Sequence, residues 1–112
     1  MIPRSVLYAR FMKDPVSVRL GGIASDLIRL SGLAKTNPAN KPHFQSVLDE
    51  TKFFTEWTAA DLSIDAQEKI LELQRVLVQW DGRLISHEQL SSVQQEAKDW
   101  SQKVLLASGM VT

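Results

Sequence analysis

No cysteine occurs among the 112 residues. Its absence excludes disulfides, thiolate metal sites, cysteine nucleophiles and thioether-linked cofactors, and it fits a reducing, cytoplasmic setting. Histidine is almost as scarce: His43 and His87 are the two in the chain, each at a helix start, after Pro42 and Ser86. Neither lies in a Glu-x-x-His or His-x-x-x-His spacing, the arrangement by which facing helices hold a metal, so both are expected as exposed first-turn residues. No apolar run approaches the roughly 18 residues of a membrane span. Arg10 interrupts "MIPRSVLYARFMKD" where a signal peptide needs an unbroken apolar core. No serine sits in a nucleophile elbow. "LGGIAS" (20–25) has paired glycines but neither the strand nor the lysine of a phosphate loop. The chain therefore reads as a non-enzyme, with no catalytic residue, metal or cofactor expected.

Net charge is also lacking, with 13 basic against 13 acidic residues, yet the charge is unevenly placed. Residues 1–41 carry seven basic and two acidic side chains, so 7 − 2 = +5, and the remainder carries 6 − 11 = −5. Such a split steers one half of a fold onto the other, or one copy onto its neighbour. The basic residues form no dense cluster, so nucleic acid is not expected as a partner.

What is present is helical periodicity. Asp14-Pro15 reads as cap and first helical residue, and Val16, Leu20, Ile23, Leu27, Leu30 and Ala34 follow at spacings of three and four. "TNPANKP" (36–42) ends this helix, and Pro42 starts the next, whose apolar face is Phe44, Val47, Leu48, Thr51, Phe54 and Thr58. A third helix opens near Ser63, with Asp65 in its first turn and a core series of Ala66, Ile70, Leu73, Leu77, Trp80 and Leu84. Gly82 is read either as an early end to this helix or as passed through. A fourth helix begins at "SHEQ" (86–89), a capping box from Ser86 to Gln89 with Ile85 and Leu90 as a hydrophobic staple. It continues through Leu90, Val93, Ala97, Trp100, Val104 and Ala107 to Gly109. The first twelve residues, with Pro3 near their start, allow a short extra helix. The expectation is an all-α, up-and-down four-helix bundle with a short N-terminal extra segment, one domain over residues 1–112.

Three surfaces carry more apolar or small residues than such a bundle needs. On the first long helix, Gly21, Ser25, Ile28 and Gly32 form a small-residue stripe, open either to close packing by a helix of the same chain or to self-association. Each glycine costs roughly 1 kcal/mol against alanine in a helix interior, which implies a steric demand. On the third helix, Ile64, Leu71, Val78 and Ile85 recur every seven residues beside the core series, either buried within the chain or forming a dimer seam. On the second helix, "KFFTEWTAADLS" places Phe54 in the core and leaves Phe53 and Trp57 on the flank. Their cover is either the N-terminal segment, with Arg4 or Arg10 over Trp57, or a second protomer, or a small ligand.

"RLGGIASDLIRLSGLA", "LDETKFFTEWTA" and "WSQKVLLASGM" together resemble a group of small helical proteins from cyanobacteria. The resemblance spans most of the chain and implies a bacterial, cytoplasmic helical protein; no catalytic motif defines the group, so no site residue follows from it. The leading expectation is a protein that works through protein–protein contact, including self-association as a homodimer. The alternative is a bundle holding a small apolar ligand or pigment near Phe53, Trp57 and Tyr8.

Overall fold

The computed structural model describes residues 3–35, 41–81 and 87–108. They form five helices: α1 (Arg4–Met12), α2 (Val16–Ala34), α3 (Lys41–Ala59), α4 (Ile64–Gln79) and α5 (His87–Ser108). No strand occurs among the described residues.

The core follows the three-four spacing. Leu20, Ile23, Leu27 and Leu30 of α2 are sealed from solvent, as are Leu48 of α3, Ile70, Leu73 and Leu77 of α4, and Val93 and Ala97 of α5. α2 takes the central place, packed most extensively against α5 and next against α3, while α4 lies against α3 and α5. Small residues permit the close α2–α5 approach. Ser31 Oγ donates to the Gln94 carbonyl (2.7 Å) and Ser101 Oγ to the Ala24 carbonyl (2.9 Å), so each hydroxyl satisfies itself on the facing backbone.

Helix starts agree with the sequence except at one residue. Ser63 caps α4, its Oγ accepting from the Ala66 N–H (3.4 Å). Pro42 lies in the first turn of α3. At α2, however, Pro15 is the cap and not the first helical residue, its carbonyl accepting from the Arg19 N–H (3.0 Å). In the three-residue corner that joins α1 to α2, the Asp14 N–H donates to the Phe11 carbonyl (3.2 Å) and the Asp14 carbonyl accepts from Arg19 Nε (3.1 Å). α4 ends at Gln79 with Trp80 as its cap, three residues before Gly82. Gly82, Leu84, Ile85, the Ser86–Gln89 capping box with its Leu90 staple, and Gly109 lie outside the described residues or side chains.

The extra helix is real and substantial. α1 is capped by Pro3, whose carbonyl accepts from the N–H groups of Val6 and Leu7. It packs against α3 through Phe11, which stacks flat on Phe54 with ring centroids 4.0 Å apart. The oppositely charged parts of the chain also meet. Arg19 Nη1 reaches Asp61 Oδ2 at 3.0 Å, and Arg29 Nη1 reaches Glu50 Oε2 at 3.6 Å.

Candidate interaction surface

α4 presents two apolar rows. Ile70, Leu73 and Leu77 face inward, while Ile64, Leu71 and Val78 face solvent at 76%, 45% and 59% exposure. Burial of this second row within the chain is thereby excluded. The reason is geometric: α2 occupies the central position and α4 packs against α3 and α5, which cover the Ile70, Leu73 and Leu77 face and leave the opposite face to solvent. Ile85, the fourth member of the row, lies outside the described residues.

Beside this row runs a groove between α3 and α4 of about 350 Å³, lined by Asp49, Lys52, Phe53, Thr55, Glu56, Gln74 and Val78. Val78 thus belongs both to the exposed row and to the groove wall. Gln74 and Gln67 hold the α3 side of α4, donating to Thr55 Oγ1 (3.4 Å) and to the Ala59 carbonyl (2.9 Å). On the far side of Phe53 a second groove, about 590 Å³, runs between α1 and α3 past Arg4, Leu7, Ser46 and Glu50.

Phe53 and Trp57 are half-buried, and α1 supplies their cover. The Arg4 guanidinium lies 4.1 Å over the Phe53 ring. Tyr8 meets Trp57 edge-on at 5.1 Å, and Phe53 stacks on Trp57 at 5.6 Å. The cation sits over Phe53 and not over Trp57, because Tyr8 and Phe11 already occupy the Trp57 surface. Arg10 is exposed. With its rings satisfied by α1, this pair is not a bare patch.

The small-residue stripe receives no neighbour at its open end. Ser25, Ile28 and Gly32 are exposed, Gly21 is half-buried, and a Cβ built on Gly32 meets nothing within 4 Å. At Gly22 an added Cβ lies 3.8 Å from Phe11, an ordinary contact. The steric demand expected of the stripe glycines, Gly21 and Gly32, is therefore absent at Gly32. Ala24, Ser31, Ala97 and Ser101 are the small residues that serve close packing.

One buried ionisable group was not foreseen. Asp26 is nearly sealed, its Oδ1 accepting from Arg29 Nη1 (3.2 Å) while Oδ2 has no donor. Its pKa is pushed up to about 8, first by burial and then by the hydrogen bond and negative charge of Glu50, with Arg29 opposing. Burial and the neighbouring Glu50 carboxylate both penalise a negative charge on Asp26 and so favour its protonated form. The spacing held a signal: Asp26 stands three residues after Ile23 and four before Leu30, on the core face. Arg19 and Asp81 are likewise buried, paired with Asp61 and Lys52.

His43 is exposed, and among the described residues no group of three or more His, Asp or Glu side chains is placed to hold a metal ion. No described helix is long and apolar enough to cross a membrane. Comparison of the chain with protein-family models, with curated proteins and with solved structures gave no match. What is established is an all-helical protein with one apolar helix face turned to solvent.

Proposed function

We propose that the protein works without catalysis, through protein–protein contact at the outward face of α4, and that it self-associates as a homodimer. One observation carries the reading: Ile64, Leu71 and Val78 stay exposed on a single helix face in a chain that buries its other long apolar series. Exposed apolar rows rimmed by polar residues mark interaction sites. In this reading α2 to α5 are an up-and-down four-helix bundle and α1 is a lid that satisfies Phe53 and Trp57. The setting is the bacterial cytoplasm, in keeping with the resemblance to small cyanobacterial helical proteins.

A ligand or pigment near Phe53, Trp57 and Tyr8 is the weaker alternative, since those rings already pack on one another and on α1. Light scattering after size exclusion tests the preferred reading. The mass should rise from 12.6 kDa toward twice that value as concentration increases through the micromolar range. A constant monomer mass throughout would sink it.

A further inference from the structure

We infer that the occupant of the α4 face is α4 of a second copy, laid antiparallel across a two-fold axis at Leu71. This rests on the self-association just proposed and adds its geometry. Between the three apolar residues of the row lie Glu68 and Arg75, both exposed. At about 100° per residue, positions 64, 68, 71, 75 and 78 fall within a stripe about 80° wide and about 21 Å long. The row therefore reads Ile, Glu, Leu, Arg, Val along one face.

That order is complementary to its own reverse. Ile64 and Val78 stand seven residues either side of Leu71, and Glu68 and Arg75 stand three and four residues either side. An antiparallel copy sets Ile64 on Val78 of the second copy, Leu71 on Leu71, and Glu68 beside Arg75, twice over. A parallel copy sets Glu68 on Glu68 and Arg75 on Arg75, which repel. Neither side chain forms an ion pair among the described residues, so both charges are free to pair outward. On α4 itself, the residues that border the row on its α3 side are the uncharged Gln67 and Gln74.

Exposed ion pairs contribute little, so the charges select orientation while the apolar residues drive contact. A single helix pair of this length is a small interface, and weak association, in the micromolar range, is expected.

Since the chain has no cysteine, single-cysteine variants report the geometry without background. Leu71→Cys should form a disulfide-linked dimer under mild oxidation at micromolar concentration. Ile64→Cys and Val78→Cys should each stay monomeric alone and cross-link when mixed. Self-linking at all three positions would overturn the antiparallel geometry in favour of a parallel one. A wild-type dimer with no cross-link at any position would place the interface elsewhere. A wild type that never exceeds monomer mass would remove the self-association itself, a result distinct from either. The sites are exposed, so retained helicity is expected and is checked by circular dichroism.

Discussion

Replacing Asp26 by asparagine should stabilise the protein at neutral pH and flatten its stability between about pH 4 and pH 8. In the folded state this carboxyl titrates at about 8 against an ordinary 3.8. Across that window the native protein holds a proton that the unfolded chain has released, so stability falls as pH rises. The contribution is fully present below about pH 4 and is lost as pH climbs through the folded value. At pH 7 the distance from 3.8 is about three units, which at about 1.36 kcal/mol per unit sets a ceiling on the order of 4 kcal/mol. Loss of the Arg29 contact and partial solvent screening both reduce this gain, so an increase of about 1–3 kcal/mol is expected at pH 8, and almost none at pH 4. Asparagine keeps a donor for the Glu50 carboxylate without a charge to desolvate. Urea unfolding of both proteins at pH 4, 6 and 8 measures the difference, which cancels the other carboxylates. A difference independent of pH, or a loss at pH 8, would refute the raised pKa and make Asp26 an ionised anchor for Arg29.

Thr58→Val should raise stability by about 1 kcal/mol in the same assay, because the buried hydroxyl has no hydrogen-bond partner and valine keeps its shape. Gly22→Ala should stabilise by up to about 1 kcal/mol, since the new methyl group meets Phe11 at 3.8 Å, and a loss would show that α1 and α2 tolerate no added atom. Phe11→Ala should cost about 3–5 kcal/mol by removing the ring stacked on Phe54, and α1 should become the first site of limited proteolysis.

The elements were legible because their signals are local. Ser63 caps α4 as its position before Asp65 and Ala66 implies, and the Leu20–Leu30 series is buried as its spacing requires. The cap of α2 falls at Pro15 and not at Asp14, one residue later than the Asp-Pro pair implies, because it depends on how the three-residue corner after α1 turns. Periodicity also showed that Ile64, Leu71 and Val78 share a face. It did not show what lies opposite, since that depends on which helix becomes central, and the choice of α2 is a property of the whole packing. Buried polar residues were the least legible. Thr51 and Thr58 were placed in the core by register, but Thr55, equally buried and four residues after Thr51, was passed over. Burial of Ser31, Ser101 and Arg19 leaves no mark in local periodicity, because their partners lie on other helices or across a turn.

Sedimentation velocity of the wild type beside Leu71→Asp tests the central claim most directly. Leu71 is exposed and outside the buried core, so the variant should keep its helicity and unfolding midpoint. The wild type should show a concentration-dependent dimer that the variant lacks at every concentration. Equal sedimentation of the two proteins, whether both monomeric or both dimeric, would contradict the assignment of the α4 face.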